Sequence, residues 1–308
     1  MKIFKIVSLM ITVSLAVVFF KPTEAFAQAV CPSVNGEITT LGNSAEVTGF
    51  GGIGWCLITP ERMQISIDYI GLCKSAPAYN TYLTDCQKVF SSSPPRLATI
   101  SKDTPLDIGP EISIEEGTYS HAVIVVSNVI KHASAIKFNG TRHGYGSMRG
   151  TPSSGQWCWS IDDPFFRAST GIDNGKNDLY IAECGNSVPA QIGYNSSKAT
   201  SVHANGDRFY KTSGTTSSTT WDVYLVDSNK NINWNPATKK VTDASFFIGI
   251  QKFNTAVNIT PNTSSVDLGF RLTNTFGLNM DMSTTVSGVK SHVKGFVLGG
   301  FEFMVVPN

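Results

Sequence analysis

Apolar and polar residues alternate along most of this chain, so a period of two rather than 3.6 organises it. Met63-Gln-Ile-Ser-Ile-Asp-Tyr-Ile70 alternates cleanly, as a half-buried strand does. Ile112 and Ile114 alternate in the same way, Glu116-Gly117 supplies a turn, and Tyr119 to Ile130 runs on as a long segment rich in Val and Ile. Together they predict a hairpin, with His121 on the face shared by Tyr119, Val123 and Val125. Further strands are expected at Leu97 to Ser101, Ala135 to Asn139, Asp178 to Glu183, Trp221 to Asp227, Ala244 to Ile250, Val266 to Thr273 and Gly295 to Val306. Helical spacing recurs only at 79–90, where Tyr82, Leu83, Cys86, Val89 and Phe90 predict a turn or two of helix.

Short strands separated by Gly, Pro, Asn and Ser clusters predict an all-β fold, an antiparallel β-sandwich in one or two lobes. Residues 141–155 are rich in Gly, Ser, Arg and Pro without periodicity and read as a long loop. That loop would separate an amino-terminal lobe at 30–140 from a carboxy-terminal lobe at 156–308, and one large sandwich with a long crossover is the alternative. The Ser/Thr-rich run at 212–220 reads as a second exposed loop. A membrane barrel would end on a strand with a terminal aromatic residue. The segment before Pro307-Asn308 reads instead as a core strand, with Gly299-Gly300 as a bulge.

Residues 1–29 have the form of a cleavable export signal. Lys2 and Lys5 precede an apolar run from Ile6 to Phe20, and Ala27-Gln28-Ala29 supplies small residues before Val30. The run is short for a membrane span, so none is expected after signal removal. The whole chain holds 24 basic and 23 acidic residues, of which three lysines and one glutamate fall in this segment. A near-neutral remainder gives no electrostatic reason to seek nucleic acid or anionic lipid. Localisation is therefore read as secreted, cell-surface or periplasmic.

All six cysteines follow the signal, with no CxxC pair among them. An even number in an exported chain predicts disulfides. Closure is cheapest between neighbours, which favours Cys31 with Cys56, Cys73 with Cys86, and Cys158 with Cys184.

Candidate chemistry is sparse. The histidines at 121, 132, 143, 203 and 292 show no HxH or HxxxH spacing, and no GxSxG elbow is present. No residue is assigned a catalytic role, and no cofactor is expected. Trp157 and Trp159 flank Cys158, so in an extended chain both indoles share one face and the cysteine takes the other. Either the indoles face outward, available to a sugar ring or a partner, or they fill the core. Trp55 and Trp221 carry the same ambiguity. Asp162 and Asp163 follow directly, and with the oxygen-rich turn at 173–178 they are candidate ligand-binding groups. Asp227, Asn229 and Asn231 begin an alternating oxygen-bearing loop that resembles a hard-cation site, although it lacks the glycine and distal Glu of an EF-hand. A hairpin pairing Val223–Asp227 with Ile232–Trp234 is preferred to calcium there.

The function expected from sequence is a structural or interaction role at the cell surface, in an appendage or in the periplasm, with a protein or glycan as partner. A carbohydrate-binding module and a hydrolase using the acidic loops are the alternatives. Oligomeric state is not legible.

Overall fold

The computed structural model describes residues 30–39, 53–101, 114–144, 154–162, 182–204, 207–215, 219–286, 289–298 and 302–308. The expected signal at 1–29 and the acidic turn at 173–178 lie outside the described residues, as do Asp163 and the side chains of Trp55, His203 and His292.

Two large sheets pack face to face. One runs Ser33–Val34, Glu37–Ile38, Ala135–Gly144, Val289–Leu298, Phe276–Val286, Ile53–Ile58, with Ser154–Ser160 and then Ala182–Gly185 joined beside Ala135–Gly144. The other runs Asn195–Lys198, Val129–Ala133, Arg62–Cys73, Gly117–Ser127, Phe246–Ile259, Thr219–Val226, Lys211–Thr215, with Gln87–Ser101 also on Arg62–Cys73. Among the described residues pairing is antiparallel except where Ala135–Gly144 meets Glu37–Ile38 and Val289–Leu298, and at the single bridge of Val30 with Leu57. Strands from either side of 141–155 are neighbours in both sheets: Gly117–Ser127 pairs with Phe246–Ile259, and Ile53–Ile58 pairs with Phe276–Val286.

One apolar cluster fills the space between the sheets. Phe138, Phe276, Leu278, Met280 and Val293 enter from the first sheet, and Met63, Ile65, Ile67, Ile124 and Leu225 from the second. Burying each such side chain contributes about 1.5–3 kcal/mol. The predicted disulfides are all formed: Cys31–Cys56, Cys73–Cys86 and Cys158–Cys184.

Bulges decide which face each strand buries. Along Arg62–Cys73 the odd residues Met63, Ile65 and Ile67 enter the core, the register slips between Ile67 and Tyr69, and thereafter the even residues Ile70 and Leu72 take that place. Tyr69 and Cys73 consequently turn to the opposite face, where Tyr82, Cys86, Val123, Val125 and Ile248 form a second apolar cluster. The Cys73–Cys86 bridge and an edge-on contact of Tyr69 with Tyr82, centroids 5.1 Å apart, hold the covering segment down. That segment is helical only at Tyr82–Asp85. This is the short helical segment expected within 79–90, and from Gln87 the chain is strand, paired with Arg62–Cys73.

Other expectations are corrected. Gly117–Ser127 does not fold back on Ile114, which lies in no strand, and Ile112 is outside the described residues. Two distant strands pair with the two edges of Gly117–Ser127, and its two faces lie in the main core and the second cluster. Tyr119 points into the main core whereas Val123 and Val125 belong to the second cluster, and the register shifts between Lys252 and Val257 of the neighbouring strand, where Tyr119 and His121 pair. The expected strand to Ile130 breaks at Asn128, whose buried amide donates to the carbonyls of Ala199 and Ala244, each at 2.8 Å. Residues 141–144 and 154–155 extend the flanking strands rather than forming loop, and 211–215 and 219–226 pair as a hairpin despite their Ser/Thr content.

The segment expected as one strand from 295 to 306 is two. Val289–Leu298 stays in the first sheet, while Glu302–Pro307 pairs with Val266–Arg271 as a separate ribbon. Gln251 secures that ribbon: its Nε2 donates to the Phe303 carbonyl at 2.6 Å, and its Oε1 accepts the Phe303 amide at 2.9 Å.

Asn128→Ala removes the donor to the buried Ala244 carbonyl and to the part-buried Ala199 carbonyl, and should destabilise the fold by about 2 kcal/mol. Glu116→Ala, at an exposed position, should stay within about 0.5 kcal/mol of the parent. Urea unfolding of the two variants checks the difference.

Candidate functional site

The strands Ala135–Gly144, Ser154–Ser160 and Ala182–Gly185 lie side by side, and their ladder fixes which side chains share a face. Cys158 is directly opposite Ile136 on one side and Cys184 on the other. Ile136, Cys158, Ala182 and Cys184 are buried in the main core. Side chains alternate along a strand, so Trp157 and Trp159 project from the opposite face. Trp157 is level with Lys137 and Gly185, and Trp159 with Ala135 and Glu183. All six of these positions are half-buried.

The outer patch has internal order. Lys137 Nζ lies 2.6 Å from Glu37 Oε1 and 6.0 Å from the Trp157 ring centroid, a charge held at the edge of cation–π range. Gly185 provides room for Trp159, since a Cβ there would sit 2.9 Å from the indole Cη2. Close strand approach also requires Gly155, where a Cβ would fall 2.0 Å from the Gly185 carbonyl carbon. Two indole rings, an ammonium and the Glu37 and Glu183 carboxylates therefore share one partly solvated surface. Such a surface offers flat apolar rings for stacking, with hydrogen-bonding groups at their rim.

The acidic candidates are used differently. Asp162, at the end of this strand, is exposed, and its Oδ1 accepts the Tyr194 amide at 2.7 Å. In the expected cation loop, Asp227 is buried and its Oδ1 accepts the amides of Asn229 and Asn231 at 2.8 and 2.9 Å. The Asn229 and Asn231 side chains are exposed. A further bond from Asp227 N to Asn231 O closes the turn, with Lys230 in a left-handed conformation at φ 66°. The hairpin expected with Ile232–Trp234 does not form: Trp234–Asn235 pairs instead with Lys240–Val241. In this turn the Asp227 carboxylate satisfies backbone amides, as in an Asx turn. Among the described residues no three His, Cys, Asp or Glu side chains converge on a metal position.

Histidines are dispersed. His121 Nδ1 is 2.7 Å from Ser120 Oγ, and burial, helped by Lys252, lowers its pKa. His132 packs against Phe276 with centroids 4.4 Å apart.

Two aromatic groupings were not foreseen. Phe209, Tyr210 and Trp234 meet with centroid separations of 4.5 to 5.9 Å, and Phe209 is 43% exposed. Tyr79 stacks on Tyr224 at 5.1 Å, with Lys211 Nζ 5.0 Å from the Tyr224 centroid. Beside them Lys230 reaches Asp68 at 3.2 Å, and burial, then Asp68 and Tyr69, push the Tyr82 hydroxyl up to about 12. Trp234 joins the adjacent Phe209 and Tyr210 from 24 residues on, and Tyr79 meets Tyr224 from the other half of the chain, so no local spacing announces either grouping. Trp221 is half-buried and packs against the edge strand at Gly214, where a Cβ would be 2.2 Å from its Cζ2.

Asp227→Ala removes the acceptor for two amides and should cost about 1–2 kcal/mol. Asp227→Asn keeps one acceptor oxygen and should recover part of that loss. Thermal unfolding with and without calcium separates turn from cation site: the parent should melt at the same temperature in calcium and in chelator. A calcium-dependent rise abolished by Asp227→Asn would mark a metal site instead. Compared with known proteins, the chain matches no protein-family model, no curated protein and no solved structure.

Proposed function

We propose that this chain is an exported, disulfide-stabilised β-sandwich protein with an interaction role at the cell surface, in an appendage or in the periplasm. It meets its partner through the face of Trp157 and Trp159, with Lys137 and Glu183 beside them and Asp162 at the strand end. Binding rather than turnover is the activity. The observation that carries this reading is the pairing of a buried Cys158 with two half-exposed indoles on the reverse of the same strand. Three disulfides suit an oxidising compartment. Among the described residues no helix is long and apolar enough to cross a membrane.

Strand addition at a sheet edge is a competing mode of assembly. Among the described residues the long edge strand Gln87–Ser101 pairs only with Arg62–Cys73. Its midpoint holds Pro94 and Pro95, which have no N–H to offer an incoming strand. The aromatic face is therefore the better interaction surface. Carbohydrate binding is the second reading, favoured by indoles flanked by an ammonium and carboxylates that can hydrogen-bond sugar hydroxyls.

Replacing both Trp157 and Trp159 with alanine tests the proposal. Half-burial predicts a cost of about 2 kcal/mol for each ring, so the variant should still unfold cooperatively. Binding to a glycan array and to intact producing cells should weaken at least about tenfold, as for other central aromatic anchors. A folded double variant that binds like the parent would remove the face from the account. Retained cell binding with no array signal from the parent would favour a protein partner over a glycan.

A further inference from the structure

Arg142 lies in the same Ala135–Gly144 strand, level with Gly155, and is only 5% exposed. Its Nη1 donates to the Thr141 carbonyl at 2.7 Å, and its Cζ lies 5.1 Å from the Phe138 ring centroid. The other donors are not matched. Nε and Nη2 are shielded from solvent, and neither has a hydrogen-bond partner among the described residues. No described carboxylate forms an ion pair with this guanidinium, and burial alone lowers its pKa.

A guanidinium stays protonated in essentially any protein setting. A desolvated charge without a counter-charge is among the costliest groups a fold can retain, so an unmatched one in the core needs an explanation. The positions left open supply it. Nε and Nη2 form one edge of the guanidinium fork, and that edge presents two parallel N–H donors to the two oxygens of a carboxylate, phosphate or sulfate. Thr141 and Phe138 hold the rest of the fork, so the edge is oriented before any ligand arrives. The half-buried Gly140 leaves bare backbone on the Nη1 side of the guanidinium, where a Cβ would lie 3.6 Å away.

We infer that Arg142 is the recognition group of an oxyanion-binding site, its Nε and Nη2 taking a carboxylate, phosphate or sulfate group side-on. The site is independent of the Trp157 and Trp159 face. Its ligand chemistry can come from a free inorganic ion or from an acidic saccharide, and the probes below distinguish them.

The test follows the arginine Nε–H resonances of the ¹⁵N-labelled protein during titration with acetate, phosphate, sulfate, a uronate-containing oligosaccharide and a sulfated one, at ionic strength fixed with chloride. One resonance, absent from Arg142→Met, should shift saturably with at least one oxyanion and not with chloride. Saturation by an oligosaccharide at concentrations tenfold below those of the simple ions assigns the saccharide as source; equal or tighter saturation by a simple ion assigns the free ion. In oxyanion-free buffer Arg142→Met should melt at or above the parent temperature, since it removes an unmatched charge. The oxyanion that saturates the resonance should raise the melting temperature of the parent alone. If Arg142→Met does not fold, Arg142→Lys identifies the resonance equally well, because it too lacks Nε. No saturable shift of the Arg142 resonance with any probe overturns the inference.

Discussion

The pairing of Cys158 with Cys184 across adjacent strands is the constraint on which the candidate site depends. The two residues are direct ladder partners, and both sulfurs lie in the core. A strand whose cysteine is fixed inward cannot slip by one residue without reversing every side chain on it. The bridge therefore commits Trp157 and Trp159 to the outer face, and Lys137 and Glu183 to the same face through their register. The three bridges close loops with separations of 13 to 26 residues. Each such closure restricts the unfolded chain by about 3 kcal/mol.

Elsewhere the same alternation is deliberately broken. A one-residue slip near Asp68 lets Arg62–Cys73 feed the main core with its first half and two apolar clusters with its second. The second cluster then needs a cover, which the segment closed by Cys73–Cys86 provides. Buried amides perform a comparable service where strands end. Asn128 and Gln251 each bond backbone groups of distant segments, and so fix junctions that apolar packing, being non-directional, would leave loose.

Local chemistry was legible in the sequence, and long-range pairing was not. The alternation at 63–67, the disulfide neighbours and the opposed faces of Trp157 and Cys158 all follow from spacing within a few residues or from loop closure. The partner of Gly117–Ser127 does not, because an apolar strand carries no label for its neighbour, and Phe246–Ile259 lies more than a hundred residues away. Ser/Thr-rich residues 212–220 resembled loop because composition alone does not register the pairing of 211–215 with 219–226. Oxygen-rich spacing at Asp227 serves turns and metals alike, so the turn bonds its carboxylate makes were not legible. Arg142 gave no signal, since an isolated arginine in sequence says nothing of its burial.

Oxidative footprinting of the disulfide-intact protein tests the central claim most directly, by comparing hydroxyl-radical modification of Trp157 and Trp159 with that of the fully buried Tyr119 and Phe276. The account predicts that both tryptophans are modified readily while Tyr119 and Phe276 are protected, and that the contrast disappears on reduction and unfolding. Protection of Trp157 and Trp159 equal to that of Tyr119 in the folded protein would place the indoles in the core and contradict the outward face on which the functional reading stands.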